Sequence, residues 1–313
     1  MAYSVDILIP CFNEEACLPS LFSTLQATLR IQVNINWTLI IINDGSRDGT
    51  SNLALRLLKE NEHWCRGKLI DLSRNFGKEA ALIAGLDHSN GQATIIMDAD
   101  LQDPPELIEL MIKAWIDGAE VVNASRTDRG TDGILKILTA SLFYRIFRLT
   151  SRLDIKFDVS DFRLLDHAVV SSITQCRETV RFSKGFFAWA GFQQHEIPYS
   201  RPDRVSGSGK WSYWKLWNYA LDGIFSFSTA PLRIWTYAGL VITLIAFYFG
   251  VLTLFRTLIL GIQLPGYSSI FTAVTFLGGA QLIGIGVLGE YLGRTYMESK
   301  RRPPYIIRKI NET

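Results

Sequence analysis

Hydrophobic and polar positions along the first half of the chain fall into blocks whose period switches between two and about 3.6. Val5-Asp6-Ile7-Leu8-Ile9, Trp37-Thr38-Leu39-Ile40-Ile41-Ile42, Lys68-Leu69-Ile70-Asp71-Leu72 and Ala93-Thr94-Ile95-Ile96-Met97 are short apolar runs rich in β-branched residues, the mark of buried strands. Between them, apolar residues recur at spacings of three and four, as at Leu53, Leu57 and Leu58 or Leu107, Leu110 and Met111, which is one face of a helix. Strands alternating with helices predict an α/β fold with a mostly parallel, doubly wound sheet and right-handed crossovers. Each run empties into polar residues: Pro10-Cys11-Phe12-Asn13-Glu14, Asn43-Asp44-Gly45-Ser46-Arg47-Asp48, Ser73-Arg74-Asn75-Phe76-Gly77-Lys78 and Asp98-Ala99-Asp100-Leu101-Gln102-Asp103. Open sheets bind ligands at that carboxyl edge. One such loop is ordinary turn chemistry, but together they outline a nucleotide-sized cleft.

The last of these loops changes the picture most. Like charges as close as Asp98, Asp100 and Asp103 repel unless a cation sits among them, and a divalent metal with hard oxygen ligands meets that need. Mg²⁺ or Mn²⁺ held by one or two carboxylates fills its remaining positions with water and substrate phosphates, so the loop points to a metal–diphosphate site. Asp103, directly before Pro104-Pro105, is expected to N-cap the next helix. That role cannot explain Asp98 and Asp100.

Composition adds a membrane. Hydrophobic residues make up 48% of the 313 residues, mean hydropathy is +0.15, and the excess lies near the end. Ile234 to Phe255 and Tyr267 to Gly289 carry no charge, and each meets the roughly 20 residues that a hydrocarbon core requires. Arg294, Lys300, Arg301, Arg302, Arg308 and Lys309 follow the second run, while the connection holds only Arg256. The positive-inside rule then makes the tail cytoplasmic, and an even number of spans puts the N-terminal domain there too. No cleavable leader is expected, because the chain opens on a strand. Stretches at about 134–150 and 210–230 mix cations with bulky apolar and aromatic residues, as interfacial helices do, though the first equally suits a core-facing amphipathic helix. Gly289 and Gly293 stand at GxxxG spacing, which suits packing within or between subunits. Four cysteines without a CxxC pair suit a reducing compartment, and the four histidines lack zinc-ligand spacing. A net charge of +2 with no nucleic-acid motif gives no reason to expect nucleic acid.

In order and spacing, the four loops resemble those of GT-A fold, family 2 glycosyltransferases. The resemblance reaches furthest toward the polyprenyl-phosphate sugar transferases, the group of dolichol-phosphate mannose synthase and bacterial bactoprenol glucosyltransferases, and it extends into the membrane segment. It implies a cytoplasmic GT-A (Rossmann-like) catalytic domain over 1–230, two transmembrane helices within 231–293 (about 234–255 and 267–289) and a basic tail over 294–313. The enzyme would lie in the plasma (inner) membrane with both termini cytoplasmic, as a homo-oligomer, a tetramer in similar bacterial enzymes. The implied reaction is inverting transfer of a hexose, foremost glucose from UDP-glucose, to undecaprenyl (polyprenyl) phosphate for modification of a cell-surface glycan. Mannose from GDP-mannose, galactose and aminoarabinose are alternatives. A processive polysaccharide synthase would carry a Gln-x-x-Arg-Trp motif and more spans, and a non-catalytic membrane scaffold would not need its carboxylates intact.

The resemblance also implies roles. Asp100 would hold the metal, with Asp98 at the metal or the ribose. Gln102 would bond phosphate oxygens or metal-bound water. Asp44 would accept the base N3–H, in a pocket lined by Pro10, Phe12, Asn13 and Glu14, with Lys78 as a nucleotide contact. A polyprenyl phosphate is already ionised near neutral pH, so it needs cations: Arg126, Arg204 and Lys210. The loop Arg204-Val205-Ser206-Gly207-Ser208-Gly209-Lys210-Trp211 departs from the related pattern at Gly209, where serine is usual. Asp161, in Val159-Ser160-Asp161-Phe162-Arg163, would orient the lipid phosphate or act as base, with Arg163 beside it as a phosphate contact. The competing role for Asp161 is a helix N-cap.

Overall fold

The computed structural model describes residues 2–30, 34–127, 145, 150–151, 159–178, 181, 183–200, 225–226, 228–260 and 266–313. In chain order these form β1 (Tyr3–Cys11), α1 (Leu18–Leu29), β2 (Ile35–Asn43), α2 (Thr50–Glu60), β3 (Cys65–Leu72), α3 (Lys78–Asp87), β4 (Ala93–Ile96), α4 (Leu107–Ile116), β5 (Val121–Arg126) and β6 (Val159–Asp166). There follow α5 (His167–Thr174), α6 (Ser183–Trp189), β7 (Gln194–Tyr199), α7 (Ala230–Leu260), α8 (Tyr267–Ser299) and β8 (Ile307–Glu312).

The strands make one sheet in the order β7-β5-β6-β4-β1-β2-β3-β8. Pairs β1–β2, β1–β4, β2–β3 and β5–β7 are parallel; β4–β6, β5–β6 and β3–β8 are antiparallel. Parallel strands are covered on both faces, which is why their sequences run almost continuously apolar. Ile7 and Ile9 pack into one core layer with Leu21, Leu25, Leu58 and Ile108, while Leu8 between them faces the other with Leu82, Ile83 and Val169. This alternation across a pleat makes a three-layer α/β sandwich.

The chain divides into two compact units, one of residues 1–148, 152–223 and 302–313, the other of 149–151 and 224–301. In the second unit, α7 and α8 contain stretches long and apolar enough to cross a membrane, Ala230–Thr253 and Phe276–Ser299. Many of their large side chains, among them Leu244, Phe247, Leu282 and Leu292, are more than half exposed. An apolar surface this extensive needs lipid or protein around it. Gly284 lies against Trp235, whereas Gly289 and Gly293 face open space. Most of the expected interfacial stretches at 134–150 and 210–230 lies outside the described residues.

The expected basic tail is structured instead. α8 continues to Ser299, and β8 then adds to the first unit as an edge strand, pairing Ile310 with Ile70 and Lys309 with Asp71. Thr313 exchanges backbone bonds with Gly67 (2.9 and 3.3 Å), and Ser73 N–H donates to the Ile306 carbonyl at 2.8 Å. Arg308 and Lys309 stand on this strand, as charged residues commonly do on sheet edges. Deleting residues 307–313 is expected to lower the thermal unfolding midpoint in detergent by at least about 5 °C, since it strips a ladder and bares β3. An unchanged midpoint would show the strand to be dispensable.

Candidate active site

The carboxyl ends of β1, β2, β3 and β4 converge, and backbone-to-side-chain bonds lace their loops together. Asn13 N–H donates to Ser46 Oγ (2.9 Å) and Arg47 N–H to Asn13 Oδ1 (2.9 Å), while Glu14 N–H reaches Thr50 Oγ1 (3.0 Å). Asn13 adopts φ 56 and Leu101 φ 54. Left-handed backbone at a non-glycine residue is uncommon; two of the three described cases fall on loops of this edge, the third being Arg301 after α8. Gly45, at φ +65, lies against the backbone of Arg74 and Asn75, so any side chain there would collide with the neighbouring loop.

Asp44 is buried at this junction. Its carboxylate accepts from Phe76 N–H (2.7 Å) and Gly77 N–H (2.9 Å), so its first task is to hold the loop that leads into α3. Burial raises its pKa, against the lowering effect of those two donors and Arg74. A carboxylate offers about four acceptor positions, so a contact to a base can be added to these bonds. Phe12 is exposed on the adjoining loop, and Pro10, near the end of β1, is half-buried.

Gly77, at φ +98, turns the chain into α3 and places Lys78 first in that helix. Its Nζ lies 2.7 Å from Asp98 Oδ1 and 2.7 Å from Asp161 Oδ2. Lys78 therefore bridges two carboxylates rather than standing in solvent. Burial alone would lower its pKa, but Asp161 and Asp98 outweigh it and hold the ammonium above its ordinary value. Asp98 is raised, chiefly by burial and also by Asp161, with Lys78 opposing. The sheet explains the meeting: Ile96 pairs with Arg163 across the antiparallel β4–β6 ladder, and two steps further Asp98 comes level with Asp161. Asp161 sits inside β6, and α5 is capped by Asp166, whose side chain accepts from Ala168 N–H, so the N-cap role for Asp161 is excluded.

Asp100 is exposed and accepts from Gln102 N–H at 3.2 Å. Among the described residues no group of three or more His, Cys, Asp or Glu gathers around a point. The donors available to a cation here are the pair Asp98 and Asp100, with Asp98 already engaged by Lys78. Two carboxylate donors fit Mg²⁺ or Mn²⁺, which complete their shell with water and phosphate oxygens.

Residues 6–174 match the family model described as glycosyl transferase family 2. The chain belongs to glycosyl transferase family 2. It is 44% identical over 310 residues to the prophage bactoprenol glucosyl transferase homolog of Escherichia coli K12, covering 98% of this chain and 99% of that protein. It is 45% identical over 306 residues to the bactoprenol glucosyl transferase of Shigella phage SfV, covering 97% and 98%. Among solved structures, glucosyl-3-phosphoglycerate synthase of Mycobacterium tuberculosis in complex with UDP is similar at 15% identity over 72% of this chain and 79% of that one, with a TM-score of 0.45.

For this family 2 glycosyltransferase, the remaining expected residues divide. Arg126, at the end of β5, donates from Nε to Tyr199 Oη at 3.2 Å and keeps part of its surface open. Arg163 does not join the cleft. Only 3% exposed, it donates to the Ser160 carbonyl at 3.0 Å and stacks on Phe187 at 4.2 Å, so α6 covers the guanidinium that was expected to meet phosphate. Arg204 and Lys210 lie outside the described residues. Asp103 is not a cap: α4 starts at Leu107 after Glu106, with no side-chain cap bond, and Asp103 is buried among Ser160, Tyr199 and Arg126. The sequence singled out neither Ser160 nor Tyr199; the signal available was Asp103 itself, a third carboxylate whose cap role left its polar partners unsought.

Proposed function

We propose that this glycosyltransferase moves a hexose, foremost glucose from UDP-glucose, to a polyprenyl phosphate at the cytoplasmic face of a membrane, with inversion at the anomeric carbon. The observation that carries this reading is the Asp98–Lys78–Asp161 bridge, which joins a carboxylate of the diphosphate loop to one on a different strand within a single salt-bridged group. Two substrates that must react in line need two such anchors at adjacent points. The bactoprenol glucosyl transferases among the relatives support a lipid acceptor, since their similarity runs through both apolar helices as well as the sheet. Two spans return the chain to the side it left, which suits a C-terminal strand that belongs to the catalytic sheet.

On the donor side, Asp44 and the Pro10–Glu14 loop line the nucleotide base pocket, and Asp100 with Asp98 would hold Mg²⁺ or Mn²⁺. Bound there, the ion would neutralise the charge that develops on the leaving diphosphate. On the acceptor side, Arg126 attracts the lipid phosphate, and Asp161 orients it or takes its proton. Gln102 stands beside Asp100 for a phosphate oxygen.

The test is a screen of UDP- and GDP-sugars with undecaprenyl phosphate and purified enzyme, with and without EDTA. A lipid-linked product from UDP-glucose, lost in EDTA and restored by Mg²⁺ or Mn²⁺, is the expected result. Product from GDP-mannose alone would reassign the donor. Undiminished transfer in EDTA would remove the metal, and polymer without a lipid-linked monosaccharide would favour a processive synthase.

A further inference from the structure

The third carboxylate of the diphosphate loop turns inward. Asp103 is 6% exposed; Ser160 Oγ donates to its Oδ2 at 2.7 Å, Tyr199 donates its phenolic proton to Oδ1, and Arg126 Nη2 lies 3.8 Å from that same oxygen. Tyr199, itself 6% exposed, also accepts from Arg126 Nε at 3.2 Å. The bonds therefore run in one direction, from guanidinium to phenol to carboxylate. They rest on backbone register: Arg126 and Tyr199 are paired residues of the parallel β5–β7 ladder. Burial, with Asp103 beside it, raises the pKa of the phenol, so it remains a proton donor at physiological pH.

We propose that Tyr199 and Asp103 are positioning residues that fix Arg126 for the acceptor phosphate. A guanidinium carries five N–H donors in a rigid fork. Holding its Nε against Tyr199 and its Nη2 near Asp103 sets the orientation of the fork and leaves further donors for an anion. Asp103 also binds Ser160, the residue before Asp161 on β6, so one buried carboxylate ties the strand of Arg126 to the strand of Asp161. It belongs to the same loop as Asp98 and Asp100, which gives the two substrate sides a shared support. The proposal rests on the assignment of Arg126 to phosphate binding made above.

Tyr199→Phe tests it with little risk to the fold, because the ring is kept and only the hydroxyl is removed. With undecaprenyl phosphate varied at saturating donor, the acceptor KM is expected to rise about 2- to 10-fold, the range for one lost hydrogen bond, while UDP binding by calorimetry stays unchanged. In an Arg126→Ala background the same substitution is expected to add nothing, because a residue acting through Arg126 has nothing left to position. Asp103→Asn, which keeps an oxygen acceptor, is expected to raise KM in the wild type and likewise to lose its effect beside Arg126→Ala. Equal effects in both backgrounds, or an unchanged KM in Tyr199→Phe, would overturn the proposal. If Arg126→Ala itself leaves the acceptor KM unaltered, the phosphate assignment is what fails, and the positioning role falls with it.

Discussion

Asp161→Asn is expected to bind UDP with near-normal affinity, yet to transfer sugar about 10²- to 10⁴-fold more slowly, the range for a lost acid–base or positioning group. The side chain sits on β6, whose neighbouring residues Ser160, Phe162 and Leu164 are buried, so an isosteric amide should leave the strand in place. What changes is charge. Lys78 would keep Asp98 as a full ionic partner and lose the other; on the proposed assignment, the donor side then retains its anchor while the acceptor side does not. Calorimetry with UDP, beside single-turnover transfer to undecaprenyl phosphate, separates the two sides. Normal transfer by this variant would show that Asp161 serves neither the lipid phosphate nor its proton. Loss of UDP binding in step with turnover would place it on the donor side instead.

The edge that carries the candidate site was legible because parallel strands must be apolar on both faces and must end where polarity begins, so β1 to β4 announced both their positions and the loops that converge there. The meeting of Asp98 with Asp161 was not legible. It depends on the register of an antiparallel pair whose strands lie far apart in sequence, and a period of two fixes which face a side chain takes but not which distant residue it meets. Lys78 read as a nucleotide contact for the same reason. Asp103 followed by two prolines has the local form of a helix start, but α4 begins at Leu107 and tertiary donors claim the carboxylate. Arg163 lies two positions beyond Asp161 on one strand, hence on the same face, and only the fold shows that Phe187 covers it. The C-terminal strand was hidden by its charges. Arg308 and Lys309 read as a tail because an edge strand tolerates the cations that a central strand would not.

Lys78→Met is the most direct test of the bridge. With the ammonium gone, the Asp98 and Asp161 carboxylates confront each other, and one or both must move or take up a proton. On the proposed assignment, displacing the two carboxylates that serve the donor and acceptor sides is expected to slow transfer about 10²-fold, as small misplacements do. Lys78→Arg, which restores the charge with a different reach, should fall between this variant and the wild type. The direction of the lysine's pKa shift sets the pH range over which the bridge holds. A lysine whose folded pKa is raised contributes stability that is fully present below its unfolded value of about 10.4 and is lost only as pH climbs through the higher folded value. Between about pH 6 and 9 the lysine of the wild-type bridge therefore stays charged, and any pH dependence of transfer in that window arises from groups other than Lys78. Because the damage runs through Asp161 as well as Asp98, Lys78→Met combined with Asp161→Asn should be little worse than Asp161→Asn alone, for the repulsion is then relieved. Turnover of Lys78→Met within about twofold of wild type, or fully additive losses in the double variant, would show that the bridge rests beside the chemistry without supporting it.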